Sequence, residues 1–433
     1  MKCKSKRVAF FTVGCRLNQY ETQAMAESLE RKGYKRVDFS QPADIYLINT
    51  CTVTAQSDYS SRQAVYRAHR RSPDARILLT GCYAQLQPEF LKNLAGVSLV
   101  VGNEQKKNMA QIVTALLNNE EIDLRTSQWE GFELEVSDHF KHTRALVKVQ
   151  DGCNDSCSYC VVPRARGKER SRKVESILTE IQNLIRDGFK EVVLTGVHVG
   201  KFKKDGINLS QLTKEIIENT GIDRIRFSSI QPKELTPEFV DLISSEKRIC
   251  PHLHIPLQSG DDRILKAMNR NYSVAYYKNL VEMLKGKLPN ICMGADVIVG
   301  FPGEKDREFE NTCEFIESIP LSYLHVFSYS DREKTASSLL PDKIEPVIIH
   351  KRSEILREIG RKKWEIFLNS FVGKELEILV EKKGNKKTKK LVGLSDNYIR
   401  VLVNGDNSLV NKTITVNSLK REGKFLVGQK RLQ

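Results

Sequence analysis

Three cysteines stand close together at Cys153, Cys157 and Cys160, in the run Asp151-Gly-Cys-Asn-Asp-Ser-Cys-Ser-Tyr-Cys160, with the spacing C-x3-C-x2-C. Cysteine thiolates are the usual ligands of iron–sulfur clusters, and a cubane cluster has four irons. Three thiolates leave one iron open to a small molecule, so the loop predicts a reactive cluster rather than an electron wire. A zinc knuckle is the competing reading, but structural zinc wants four ligands in closed pairs. His139 and His142 are separated from the loop by a strand-like run, and no fourth ligand lies nearby.

Three further cysteines carry a second argument. Apolar strand-like runs at 8–13, 44–49 and 76–80 end at Cys15, Cys51 and Cys82, 36 and 31 positions apart. Near-continuous apolar strands separated by helices read as a parallel sheet covered on both faces. In such sheets ligands bind at the carboxyl ends of the strands. Three neighbouring strands would then deliver three thiolates to one edge, a second three-cysteine cluster site. The alternative is three unrelated cysteines, each a small buried apolar residue. A fourth run, 97–101, adds another strand.

From 145 to about 335 six strand–helix units follow, with strands at 145–149, 191–195, 224–229, 252–255, 292–299 and 323–328 and helices such as 174–187, 210–219 and 307–319. Six parallel units predict an incomplete (βα) barrel, with the Cys153 loop after its first strand, at the carboxyl face where barrel active sites lie. A long charged helix at 346–369 leads to short alternating strands, such as 375–380 and 398–403, which predict a small antiparallel β-barrel. The fold class is therefore α/β: an amino-terminal parallel sheet domain (1–125), a central partial (βα)6 barrel (139–369) and a carboxyl-terminal antiparallel barrel (371–433).

The 433 residues carry 69 Lys or Arg against 54 Asp or Glu, a net charge of +15. Residues 371–433 hold 14 basic and 6 acidic side chains, more than half of that excess. A basic barrel at one end predicts a polyanion partner, nucleic acid first; a solvated, solubilising face is the bland reading. Ten cysteines are too few for a disulfide scaffold. No leader is expected before the first strand, and no apolar run approaches the ~20 residues of a membrane helix. The expected setting is a reducing cytoplasm, without membrane attachment, where thiols stay free for metals.

Taken together, Thr12-Val-Gly-Cys-Arg-Leu-Asn-Gln-Tyr-Glu-Thr22, Asn49-Thr-Cys-Thr-Val-Thr54, Thr80-Gly-Cys-Tyr-Ala-Gln85, the Cys153 loop, Arg166-Gly-Lys-Glu-Arg-Ser-Arg172, Leu257-Gln-Ser-Gly260 and Ala295-Asp-Val-Ile-Val-Gly-Phe-Pro-Gly303 resemble the radical S-adenosylmethionine (SAM) methylthiotransferases. The likeness covers nearly the whole chain, and the basic end is similar to that family's TRAM domain. Gln19-Tyr-Glu-Thr and Asn49-Thr-Cys-Thr-Val-Thr are most similar to the branch acting on threonylcarbamoyladenosine beside the tRNA anticodon. Sister branches modify isopentenyladenosine in tRNA or an aspartate of a ribosomal protein. A noncatalytic tRNA-binding protein with structural clusters is a third class of reading, against which the three-and-three split of cysteines argues.

The resemblance implies two 4Fe-4S clusters and SAM. Cys153, Cys157 and Cys160 would hold the cluster that reduces SAM to a deoxyadenosyl radical, with SAM capping the open iron and Tyr159 at the aromatic position before the last cysteine. Cys15, Cys51 and Cys82 would hold the cluster that supplies sulfur, both open irons facing one chamber. An inert aromatic C–H at adenine C2 calls for such a cofactor. The base would enter unstacked, which an anticodon stem-loop makes cheap. A flavodoxin or ferredoxin would supply electrons.

Gly196 and Gly200 are candidates for close backbone approach to SAM, and Ser229, Gln258 and Arg270 for polar contacts; ordinary loop chemistry is the alternative for each. Arg164 and Arg166 would meet the SAM carboxylate or RNA phosphate, or simply line the surface. Cys250, His252 and His254 fall on one strand face; a metal site there is set aside in favour of a barrel-facing His254 and inert neighbours. Cys3, Cys292 and Cys313 read as free. The run Lys382-Lys-Gly-Asn-Lys-Lys-Thr-Lys-Lys390 is a loop able to grip phosphates by charge, or a solvated one. Lys334 stands where the family pattern has glycine.

Overall fold

The computed structural model describes residues 6–122, 124, 136, 143–382, 384–385 and 388–431. Cys3, His139, His142 and the expected boundaries at 1, 125, 139 and 433 lie outside the described residues, as do parts of the lysine run.

The first unit is a five-stranded, wholly parallel sheet of β1 (Arg7–Thr12), β2 (Lys35–Val37), β3 (Ile45–Thr50), β4 (Arg76–Gly81) and β5 (Val97–Val100), in the order β2-β1-β3-β4-β5. β3 is buried along its whole length. Its alternate residues feed two cores: Ile45 and Leu47 pack with Met25 and Leu29 of α1 (Arg16–Arg31), whereas Tyr46 and Ile48 pack with Ala64, Val65 and Ala68 of α2 (Ala55–Arg71). That double burial is why the strands read as unbroken apolar runs. β2, one exposed and two half-buried residues on the edge, gave no such run.

The central unit carries the six expected parallel strands: β6 (Ala145–Lys148), β7 (Glu191–Thr195), β8 (Arg224–Phe227), β9 (His252–His254), β10 (Cys292–Val299) and β11 (Tyr323–Ser328). They form two three-stranded sheets, and the parallel bridges Ile225↔Ile249 and Ser229↔His254 join β8 to β9. Among the described residues β11 does not pair with β6, so the barrel is open. One apolar core, including Val147, Leu194, Phe227, Leu253 and Val297, runs through it, and Leu324 and Val326 of β11 pack against that core. A long helix, Pro346–Asn369, packs along β11 and leads to the last unit.

That unit is a closed five-stranded barrel of β12 (Glu375–Val380), β13 (Leu391–Ser395), β14 (Arg400–Val403), β15 (Thr413–Glu422) and β16 (Phe425–Lys430). It is mixed rather than wholly antiparallel, because β14 pairs with β16 in parallel. Two-residue turn signals could not reveal that pairing, since the partners are not consecutive. The barrel is held on the central unit: Arg224 and Arg226 of β8 donate to the carbonyls of Leu394, Glu377, Asp396 and Ser395. Among the described residues no helix is long and apolar enough to cross a membrane.

Candidate metal centres and active site

The register of the first sheet sets the first cysteine triad. Thr12 pairs with Asn49, Asn49 with Thr80 and Thr50 with Gly81, so β1, β3 and β4 end level. Cys15, Cys51 and Cys82 lie immediately beyond those ends, on adjacent strands, as expected. Gly14 and Gly81, each with φ of 101°, make the turns. A Cβ at Gly14 would stand 2.7 Å from Cys51 Sγ, so glycine there is what lets two of the cysteines approach. Cys15 opens α1 and is placed where the positive end of a helix favours a thiolate. Burial pushes the Cys51 thiol up to about 11, and the Cys82 and Cys15 thiols add to that shift.

The second triad lies beyond the carboxyl end of β6. A cleft of about 510 Å³ is lined by Cys153, Cys157 and Cys160 together with Pro163, Gly167, Lys168, Lys334, Thr335 and Ala336. All six cysteines are free thiols. Each sulfur of this triad is met by a donor: Cys153 Sγ by Asp155 N at 3.4 Å, Cys157 Sγ by Arg270 Nη1 at 3.2 Å, and Cys160 Sγ by Val162 N at 3.4 Å; His198 Nδ1 also lies 3.5 Å from Cys153 Sγ. Donors of this kind suit ligating thiolates. Burial raises the Cys157 thiol, with the Arg270 guanidinium opposing the shift, and pushes Cys160 up to about 12. Three soft donors around one open cleft fit an iron–sulfur cluster with a vacant corner.

The two triads are tied through a buried ionic network. Glu21 of α1 meets Lys106 Nζ at 2.5 Å, Lys148 Nζ at 3.1 Å and Arg166 Nη1 at 2.9 Å. Asp151, just before the radical loop, meets Lys148 at 2.8 Å, Arg166 at 3.1 Å and Arg170 at 3.1 Å. Arg166 also donates to Asn18 Oδ1 at 2.6 Å. Arg166 is therefore an interior residue that joins the two units, not a surface contact. Desolvation raises the Cys15 thiol pKa, and the Arg166 guanidinium partly offsets it. A strap after β11 makes a second tie: Arg332 meets Asp58 at 2.5 Å, Ala55 N donates to Ser330 Oγ, and Ser337 N donates to Ser158 O in the radical loop. Arg164 donates to Glu333 O of this strap at 2.8 Å. Lys334 adopts φ of 64° there, the left-handed conformation that favours glycine.

The expected SAM contacts divide. Arg270 reaches Cys157 and also meets Gln231 and Tyr272. Tyr159 packs against the cluster of Ile264, Met268 and Phe301. Gln258, buried and with φ of 71°, is tied through its backbone to Asp296 and Ile298. Ser229 is exposed and bridges to His254. Gly196 lies against Gln150 and Gly200 against Glu234, each too close for a side chain. Cys250 is buried; His252 and His254 both meet Tyr323 OH, and His254 Nε2 lies 2.8 Å from Asp296 Oδ1. His198, Glu234 and the strap are the site features that spacing did not reveal. His198 stands three residues past the end of β7, at the barrel's carboxyl face, and that position was its one available signal.

A reactive three-thiol loop on an open parallel barrel defines the class. Residues 147–316 match the radical SAM superfamily, and residues 7–102 match the uncharacterized protein family UPF0004. A radical SAM protein carries a 4Fe-4S cluster and binds SAM. The fold is similar to the radical SAM methyltransferase TsrM from Kitasatospora setae (TM-score 0.55, 16% identity, 75% of each chain) and to the cobalamin-dependent radical enzyme OxsB (TM-score 0.52, 11% identity, 84% of this chain and 56% of that one). Among curated proteins the chain is 42% identical to the threonylcarbamoyladenosine tRNA methylthiotransferase MtaB of Aquifex aeolicus, over 91% of this chain and 96% of that one. It is 37% identical to the protein of the same name in Bacillus subtilis, over 97% and 96%. The chain belongs to the family of threonylcarbamoyladenosine tRNA methylthiotransferases.

Proposed function

We propose that this protein transfers a methylthio group to C2 of N6-threonylcarbamoyladenosine next to the tRNA anticodon. The observation that carries the reading is the pair of three-thiol sites, one on each of two units that share a buried ionic network. Cys153, Cys157 and Cys160 hold the radical cluster, and Cys15, Cys51 and Cys82 hold a second one. When bound, the clusters supply the electron that splits SAM to a deoxyadenosyl radical and the sulfur that replaces hydrogen on the base.

The protein's own residues do the rest. Arg270 and His198 fix the orientation of the Cys157 and Cys153 sulfurs. Glu21, Arg166 and Asp151 hold the helix that begins at Cys15 against the radical loop, which fixes the distance between radical and sulfur. The 330–337 strap covers the cleft and reaches the strand end that carries Cys51. In this reading the three domains are 1–125, 139–369 and 371–433. The last is a basic barrel that grips the tRNA through charge, its Lys382–Lys390 loop included. Electrons come from a flavodoxin or ferredoxin, and the enzyme works in the cytoplasm.

Mass spectrometry of tRNA nucleosides from cells with and without the gene tests the reading. The 2-methylthio derivative of threonylcarbamoyladenosine is expected to vanish with the gene. Loss of the methylthio-isopentenyl nucleoside instead would move the protein to the sister branch.

A further inference from the structure

Beside the radical loop, one imidazole sits in a shell of residues shaped to hold it. We infer that His198, backed by Glu234, is a positioning residue for the radical cluster: it donates a hydrogen bond to the Cys153 sulfur and thereby sets the cluster's reduction potential. This rests on the proposed ligation by Cys153, Cys157 and Cys160.

His198 is 4% exposed. Its Nδ1 lies 3.5 Å from Cys153 Sγ and 3.5 Å from Asp155 Oδ2, and its Nε2 meets Glu234 Oε1 on the opposite side of the ring. Its backbone N–H donates to Gln150 Oε1 at 2.7 Å, and Gln150 Nε2 in turn donates to the carbonyls of Asp151 and Gly152 at the entrance to the loop. The imidazole is thus fixed from behind by a carboxylate and from below by an amide that also shapes the cysteine loop.

Two glycines make the shell possible. A Cβ at Gly200 would stand 2.0 Å from Glu234 Oε2, and one at Gly196 would stand 2.7 Å from Gln150 O and 3.0 Å from Gln150 Oε1. Neither glycine has a φ in the left-handed region, so backbone conformation does not demand them. Their role is to clear space for the two residues that hold His198. This gives both glycines a reason independent of any direct approach to SAM.

The physical consequence follows from charge. A cluster gains negative charge on reduction, and an N–H aimed at a ligating sulfur stabilises that charge. A histidine backed by a carboxylate is the arrangement that orients metal-linked imidazoles; here the imidazole meets the ligand's sulfur rather than the metal. Among the described residues the other donor to Cys153 Sγ is the Asp155 backbone N–H, at 3.4 Å.

The test is a redox titration of the reconstituted full chain, followed by electron paramagnetic resonance, reading the signal that changes when SAM is added. His198→Leu is expected to lower the ratio of reduced to oxidised radical cluster at a fixed ambient potential by about tenfold, equivalent to 59 mV for one electron. His198→Gln, which keeps an N–H donor, should recover most of that shift. An unchanged midpoint in His198→Leu with full iron content would overturn the inference. Should that variant fail to load iron, pulsed resonance on wild-type protein labelled with ¹⁵N-histidine decides: a histidine nitrogen coupled to the SAM-responsive signal supports the bond, and no coupling overturns it. Absence of any SAM-responsive iron–sulfur signal in the wild type would overturn the cluster reading itself, and this inference with it.

Discussion

The guanidinium of Arg166, six residues past the last cysteine of the radical loop, is buried 2.9 Å from the carboxylate of Glu21, six residues past Cys15. Each residue belongs to the helix that leaves its own cysteine site, so this one contact links the placements of the two triads. Lys106, Lys148 and Arg166 hold Glu21 well below the ordinary carboxylate range in spite of its burial. Removing one partner of a buried ion pair leaves an uncompensated charge, at a cost of about 3–5 kcal/mol. Glu21→Gln is therefore expected to lower unfolding free energy by that order in urea titrations.

The same network gives acid sensitivity with a defined sign. Glu21 and Asp151 both have pKa values lowered by their cationic neighbours, against the cost of burial. A depressed carboxylate contributes stability above its unfolded pKa and loses it as pH falls through the folded value. Unfolding free energy should therefore fall as pH drops below the ordinary carboxylate range, and Glu21→Gln should flatten that slope. Denaturant midpoints measured between pH 7 and pH 3 check both statements.

Lys334 is a lysine where the chain turns through φ of 64°, at the rim of the cysteine cleft. A non-glycine residue held there stores strain of order 1 kcal/mol. Lys334→Gly should raise stability by up to about 1 kcal/mol, the gain limited by the larger entropy of the unfolded glycine chain. Lys334→Val, β-branched at the same φ, should lower it. Paired thermal melts of the two variants against wild type read the difference.

The strand ends were legible because the apolar runs stop where the cysteines begin. β3 is buried on both faces, so its six residues, Ile45–Thr50, stand out from the flanking polar sequence. The helix over Pro346–Asn369 likewise falls where its proline start and charge pattern place it. The cysteines themselves were legible through their spacing. What stayed hidden is whatever depends on long-range packing. Arg166 reads as a contact to the SAM carboxylate or RNA phosphate, or as a surface arginine, and only the docking of α1 makes it interior. Gly196 and Gly200 read as ligand-approach glycines, and only Gln150 and Glu234, far apart in sequence, show what they leave room for. The parallel pairing of β14 with β16 skips a strand and leaves no local signal.

Cluster loading should depend on pH. Burial pushes Cys51 up to about 11 and Cys160 up to about 12, and raises Cys157 as well. These thiols are protonated in the metal-free protein at neutral pH, so ligation must release their protons. For each thiol that ionises on binding, one pH unit raises apparent affinity by about tenfold. Iron bound per chain, measured anaerobically against a fixed competing chelator at pH 7 and pH 8.5, should rise steeply. A flat profile would mean that the thiols are already ionised before metal arrives.

Single substitutions in the two triads should separate the two halves of the reaction. The Cys153, Cys157 and Cys160 sulfurs share one cleft, and removing any one leaves that site short of a ligand. Cys157→Ala should therefore lose deoxyadenosine formation altogether. Cys15 lies on the other unit, beyond β1, and among the described residues it is not part of the radical cleft's lining. Cys15→Ala should still form deoxyadenosine from SAM and yield no methylthio nucleoside. Both variants are read by anaerobic assay with chromatography of deoxyadenosine and of digested tRNA. Wild-type protein should bind about eight irons if both sites hold four-iron clusters, and each variant about half. Normal thiolation by Cys15→Ala would remove the second site from the mechanism, while leaving the radical loop intact.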